Sequence, residues 1–154
     1  MPIFTADMRR LLNEQRLGFI ATVCPDGTPN LSPKGTTAIW DADHLIFADI
    51  CSPQTVTNLR ANPHIEINVV DPFARKGYRF KGQAQVVTNG PRYAEGVAFY
   101  RQRGVTAAIH SIVFVTVERA LPLISPVYDQ GLSEADVRAH WTQHYARLQH
   151  QESS

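Results

Sequence analysis

Between Leu45 and Pro63 the chain reads LIFADICSPQTVTNLRANP, and this stretch leaves the fold few choices. Leu45–Ala48 is a short apolar run of strand character. A polar turn follows, then a helix whose start and stop are both encoded. Ser52 suits the N-cap, because its hydroxyl can accept a bond from a free amide of the first turn. Pro53 suits the first helical position, where its missing N–H removes nothing and its fixed φ is already helical. Val56 and Leu59 give the helix an inner side, and Asn62-Pro63 ends it. A strand that hands its chain to a helix N-terminus leaves amides pointing outward in a field that favours negative charge. Thr55 adds a hydroxyl in the first turn. Taken alone, the stretch fits an ordinary capped connector better than a phosphate seat, because capped helices after strands are common.

The flanking sequence builds a small β-rich domain around this unit. Thr5–Gln15 reads as a helix capped by Thr5, with Met8, Leu11 and Leu12 on one side and Gly18 as its stop. Gly18–Cys24 is a strand, Pro25-Asp26-Gly27 a tight turn, and Pro29–Trp40 a second strand that returns through Asp41–His44 into Leu45–Ala48. Such short connections predict a three-stranded antiparallel meander. After the central helix, His64–Val70 alternates apolar and polar residues, and Tyr78–Thr88 does so over a longer run, with Gly82 marking a bend or a close backbone approach. Asp71–Gly77 links those two strands. Pro91 starts a helix that runs to about Arg103 with Tyr93, Val97, Phe99 and Tyr100 on its inner side. Ala107–Val117 is a long strand continued irregularly through Ala120–Ile124. Ser125–Gly131 leads to a C-terminal helix from Ser133, where Ser133 and Asp136 form a capping-box pair. Six or seven antiparallel strands with irregularly placed helices predict a mainly β barrel rather than a doubly wound parallel sheet. At 154 residues the chain, 1–154, fits one domain. Gln151–Ser154 reads as a disordered tail.

Composition narrows the function. Fifteen Lys and Arg against fourteen Asp and Glu leave a net charge of +1, which gives no reason to expect nucleic-acid or membrane-surface binding. The N-terminus MPIFTADMRR has no signal-peptide core, and the two cysteines, Cys24 and Cys51, have neither disulfide-framework nor zinc spacing. A cytoplasmic protein is expected. P-loop, GxGxxG, GxSxG, HExxH and CxxC patterns are all absent. No Ser/His/Asp or paired-carboxylate set suggests itself, so an enzymatic activity would need a cofactor.

Four groups of residues remain as candidates. Lys34, Gly35 and Thr36, read as part of the second strand, can offer charge, backbone and hydroxyl to a ligand. Arg79 and Lys81 lie on one side of their strand within RKGYRFK and can together neutralise a phosphorylated ligand; a solvated strand face is the alternative. His140 and His144, one helical turn apart, lack an evident third metal ligand and suit an exposed or interface helix. Cys51 beside the helix N-terminus has no histidine next to it and reads as packing.

The order of these pieces resembles the flavin-binding split-barrel superfamily that includes pyridoxamine 5′-phosphate oxidase and small FMN-binding proteins. An N-terminal helix, GFIATVCPDGTPNLSPKGT, LIFADICSPQTVTNLRANPHIEI and GYRFKGQAQVVTNGP before a helix and a final strand carry the resemblance. It implies an antiparallel split β-barrel that forms a homodimer, with FMN in the clefts between subunits. It implies that the flavin lies along Lys34, Gly35 and Thr36 and along Ala48, Asp49 and Ile50. The phosphate would then sit at Ser52, Gln54 and Thr55, and the strand of Arg79 and Lys81 would run near the same cleft. An FMN-dependent oxidoreductase acting on a small-molecule substrate or electron donor is the implied function. A non-catalytic flavin, deazaflavin or haem carrier is the alternative, and a cofactor-free dimeric interaction protein is a third. Two departures stand out. Gln54 and Thr55 occupy first-turn positions where relatives usually carry Lys or Arg. HWTQHYARLQHQESS does not match the substrate-holding C-terminal motif of true pyridoxamine phosphate oxidases, so a vitamin B6 oxidase is not expected.

Overall fold

In the computed structural model, which describes residues 2–151, all strands join one antiparallel sheet. They are β1 (Gly18–Val23), β2 (Pro29–Lys34), β3 (Ala38–Ile39), β4 (His44–Asp49), β5 (His64–Asp71), β6 (Lys76–Val87) and β7 (Ser111–Ile124). The helices are α1 (Ala6–Gln15), α2 (Pro53–Ala61), α3 (Gly90–Gln102) and α4 (Glu134–Gln151), with a 3₁₀ turn over Pro126–Gln130. The sheet order is β2-β1-β5-β6-β7-β4-β3. Its two edge strands, β2 and β3, are joined by residues 35–37 alone. Edges so tied must lie close together, so the sheet curls into a split barrel.

Expected and observed chain paths differ at this join. Pro29–Trp40 is not one strand: the backbone turns after Lys34, with the Thr37 N–H donating to the Lys34 carbonyl. Strand β2 pairs only with β1, while β4 pairs with β3 and β7, so the three-stranded meander does not form. Lys34 accordingly ends β2, and Gly35 and Thr36 lie in the turn rather than within a strand.

Alternation sorts side chains to the two faces of the sheet. Ile20, Phe47, Ile67, Val69, Phe80, Val113 and Val115 fill the interior, closed at one end by Phe4, Met8, Leu11 and Leu12. A second cluster lies on the opposite face of β4 and β7, where Ile46, Ala48, Ile112 and Phe114 meet Tyr100 and its helix α3. The outer face of β2–β1–β5 carries Leu31 and Phe19, both exposed.

The β6–β7 ladder is the longest, and it slips by one residue between Lys81 and Gly82, leaving Glu118 as the extra residue of a bulge. The close approach expected at Gly82 is present: a Cβ there would lie 1.9 Å from the Thr116 carbonyl oxygen.

Two helix N-termini follow the local chemistry expected of them. Thr5 Oγ1 accepts from the Met8 amide, as expected. Ser133 and Asp136 form a reciprocal box, the Ser133 hydroxyl accepting from the Asp136 amide at 3.1 Å and donating to its carboxylate at 2.8 Å. Helix α1 ends at Gln15 as expected, but its stop is Arg16 in a left-handed conformation (φ 52°), and Gly18 already belongs to β1. Strand β7 begins at Ser111, not Ala107, and continues to Ile124 past the bulge at Glu118, in keeping with the irregular continuation expected after Val117. Of the tail 151–154, Gln151 closes α4, and the expectation for the rest lies outside the described residues.

Candidate functional site

Strand β2 delivers Lys34 to the start of α2. The Lys34 side chain is buried, with 7% of the residue exposed, and its Nζ donates to Ser32 Oγ and Ser52 Oγ, each at 2.5 Å. Ser52 thus differs from the N-cap expected of it. Its hydroxyl makes no capping bond and faces the lysine, while Pro53 still opens the helix. Nothing acidic lies in the first turn, and no side chain caps the helix, so its amides face the same space as the lysine. Burial pulls the Lys34 amine below its usual value, and the nearby Asp49 carboxylate and Cys51 oppose that shift.

Asp49 holds the turn that makes this approach. One carboxylate oxygen accepts from the Ser52 amide at 2.8 Å, the other from the Ser111 hydroxyl at 3.1 Å. Its carbonyl accepts from the His110 amide. The Ala48 amide donates to Thr36 Oγ1 at 2.9 Å, which ties the β2–β3 turn to β4. The Thr36 carbonyl in turn accepts from the Tyr100 hydroxyl at 2.6 Å, and burial pushes that phenol strongly upward. Gln54 Nε2 donates to Asn58 Oδ1, and Asn58, fully buried, donates to Thr22 Oγ1. Thr55 is buried at 2% exposure. Its side chain packs inward, so the first turn offers its amide there.

Two hollows flank this unit. One of about 470 Å³ runs over Ile50, Cys51, Ser52, Thr57, Arg60 and His110. The other, about 390 Å³, lies over Gly35, Thr36, Arg16, Tyr100 and Arg103. The structure therefore brings together Lys34, Gly35, Thr36, Ala48, Asp49, Ile50, Ser52, Gln54 and Thr55. Arg79 and Lys81 stand apart, exposed on the outer face of β6 and paired with Glu66 at 2.9 and 3.6 Å. His140 and His144 flank the Trp141 ring edge-on at 5.1 and 5.2 Å. Ser32, Asn58 and Ser111 complete the network without a sequence signal: each is a lone polar residue in a strand or helix, and only the pairing of distant elements gives it a partner.

A family described as pyridoxamine 5′-phosphate oxidase matches residues 4–121, most of the chain. The chain belongs to the pyridoxamine 5′-phosphate oxidase family. Curated proteins yield no match. Among solved structures, HupZ of Group A Streptococcus is 34% identical, with a TM-score of 0.73 over 79% of this chain and 95% of that one. An F420 reductase is 24% identical with a TM-score of 0.60, covering 77% of this chain and 98% of that one. An FMN-binding protein from Syntrophomonas wolfei is 16% identical with a TM-score of 0.63, covering 75% and 82%. The latter two share the fold. The split barrel is thus that of the pyridoxamine 5′-phosphate oxidase family, and the same fold occurs in a structure named for FMN binding. The family match ends before the 3₁₀ turn and α4, so those elements lie outside it. Among the described residues no helix is long and apolar enough to cross a membrane.

The residues present fit the phosphate of a flavin mononucleotide. A buried ammonium and two hydroxyls meet beside the uncapped start of α2.

Proposed function

We propose that this chain is an FMN-dependent oxidoreductase that works on a small-molecule substrate or electron donor as a homodimer. The observation that carries the reading is Lys34, a buried lysine with no full ion pair, held by Ser32 and Ser52 at the open end of α2. Burying an ammonium is unfavourable unless an anion repays it, and a phosphate monoester supplies that charge. Ser52 and the first-turn amides would share its oxygens with Lys34, and Asp49 would keep the turn in register. Thr36, tied to Ala48 and Tyr100, would fix the wall along which the ring system lies. Bound there, FMN would supply the hydride and electron transfer that the chain's own side chains do not. The chain's contribution is placement, charge and exclusion of water.

The named relatives support a flavin and leave its type open. A deazaflavin carrier is the second reading, favoured by the fold shared with an F420 reductase and by Gln54 in place of a first-turn cation.

Two titrations test the proposal. FMN and riboflavin, which lacks the phosphate, are titrated into wild type and Lys34→Met. Wild type is expected to retain FMN through desalting, with a flavin absorption spectrum. The variant should lose about 10- to 100-fold in FMN affinity, the scale of a hydrogen bond to a charged group, while riboflavin affinity stays level. Equal loss for both ligands, or no loss, removes Lys34 from the phosphate seat. A colourless wild type that binds neither overturns the FMN reading.

A further inference from the structure

A hollow larger than either of these lies elsewhere. It measures about 630 Å³ and lies between the β5–β6 turn, the 3₁₀ turn and α4. None of its lining residues lines the hollows around Lys34. Its volume falls in the range of small-molecule sites, roughly 300–1,000 Å³. Val127, Leu132, Val137 and Trp141 make its walls apolar, and Arg75 brings a guanidinium to it.

Arg75 is held in an unusual way. It has φ 55°, a left-handed conformation that disfavours every residue with a Cβ, and Asn or Gly would fill the position at less strain. The turn around it is fastened on every side. Asp71 Oδ1 accepts from the Phe73 and Ala74 amides, the Arg75 amide donates to the Asp71 carbonyl, and the Ser125 amide donates to the Arg75 carbonyl. The Tyr128 hydroxyl donates to the Ala74 carbonyl at 2.6 Å. The guanidinium carbon then lies 3.4 Å from the centroid of Trp141, stacked on the indole. Its Nε is buried and donates to nothing, and among the described residues no carboxylate pairs with it. The one acid on the wall, Asp136, has its carboxylate engaged by the Ser133 hydroxyl and lies in the positive first turn of α4. A strained, prealigned arginine with no carboxylate partner, its side chain on the wall of an apolar cavity, is a receptor for a carboxylate attached to an apolar body.

We propose that this cavity is a second binding site, for a small organic carboxylate with an aromatic or aliphatic body. The carboxylate would take the Arg75 donors, and the body would lie on Val127, Leu132 and Val137. The reading is independent of the flavin proposal. The 3₁₀ turn and α4, which supply most of the walls, lie beyond the stretch that matches the family.

The probe pair is 2-naphthoate and 2-naphthamide, equal in shape and different in charge, titrated calorimetrically into the full chain. Naphthoate is expected to bind once per chain and at least tenfold more tightly than the amide. Arg75→Asn keeps a residue that accepts the backbone conformation, and it should erase that preference. Methyl resonances of Val127, Leu132 and Val137 should shift with naphthoate. Leu132→Trp, which fills the cavity and leaves Arg75 in place, should block binding, and it decides the matter if Arg75→Asn fails to fold. Equal affinity for the two probes, no naphthoate binding at millimolar concentration, or shifts confined to residues around Lys34 would each overturn the proposal. FMN affinity measured with naphthoate at saturation should be unchanged, which separates the two sites.

Discussion

Lys34 carries a charge where water hardly reaches, and its burial has a sign that can be measured. The amine is held below its usual 10.5 by desolvation. Between its folded value and 10.5 the unfolded chain therefore binds more protons, and stability from this group rises with pH. Below that window the ligand-free fold bears the full penalty of a buried cation. Lys34→Met removes the penalty, so its stability advantage over wild type should shrink as pH climbs toward 10.5. Chemical denaturation of both proteins across the alkaline range checks this, and a constant gap would show that desolvation is not what the lysine feels. Gly82 is the second residue whose effect is fixed by geometry. A methyl group there meets the Thr116 carbonyl at 1.9 Å, a backbone atom that cannot swing away. Gly82→Ala should destabilise by about 3 kcal/mol, lowering Tm by roughly 6–12 °C for a chain of this size. A melting curve that moves by less than 2 °C would show that β7 gives way at its bulge.

At the scale of elements, α4 is attached to the barrel by few contacts, of which the Arg138–Asp71 pair is the strongest. The Arg138 guanidinium donates to Asp71 Oδ2 at 2.7 Å, and the aspartate is buried. Burial alone would raise the Asp71 carboxyl, but the Ala74 and Phe73 amides and Arg138 outweigh it and hold it low. Its stabilisation is therefore present above the usual value of 3.8 and is lost as pH falls through the lower folded value. Asp71→Asn keeps the acceptor for the turn amides and deletes the charge that Arg138 sees. Hydrogen exchange in α4 should speed up at neutral pH in this variant, as it should in wild type on acidification, while the sheet stays protected. Uniform loss of protection would mean that α4 and the barrel open together. What could be read in advance follows the same division between local and distant causes. Helix α2, the Ser133 box and the tight spot at Gly82 are written in neighbouring residues, so they were legible. The turn into α2 is legible locally, but the part played by Ser52 is not, because its partner Lys34 arrives from another strand. The 3₁₀ turn Pro126–Gln130 carries no periodicity at all. Arg75 passed as one more charge in RKGYRFK, since only its left-handed backbone and the approach of Trp141 set it apart.

The whole molecule leaves one face of its sheet without a cover. Helix α3 closes the outer side of β4 and β7, but nothing comparable lies over β2–β1–β5. Leu31 is 67% exposed there and Phe19 39%, on strands whose other side is core. Asn68, opposite Phe19 in the β1–β5 pairing, has a buried side-chain oxygen with no donor. Glu66, Arg79 and Lys81 border the same face with a small ion-pair group. Apolar residues at the centre, an unanswered acceptor and a charged margin are what a self-complementary contact needs, and a second copy of this chain is the occupant we propose. It would also give Arg79 and Lys81 a place near a flavin, on the partner's side of a shared cleft. Leu31→Glu with Phe19→Glu places two charges at the centre of that contact and should convert a dimer to a monomer by light scattering, with the fold intact by circular dichroism. FMN affinity should fall with the loss of the partner, and more steeply than the Arg79→Ala variant alone makes it fall. A double variant that is monomeric yet binds FMN as wild type does would confine the whole phosphate and ring site to one chain. A wild type already monomeric at micromolar concentration would instead assign Leu31 and Phe19 to some other contact.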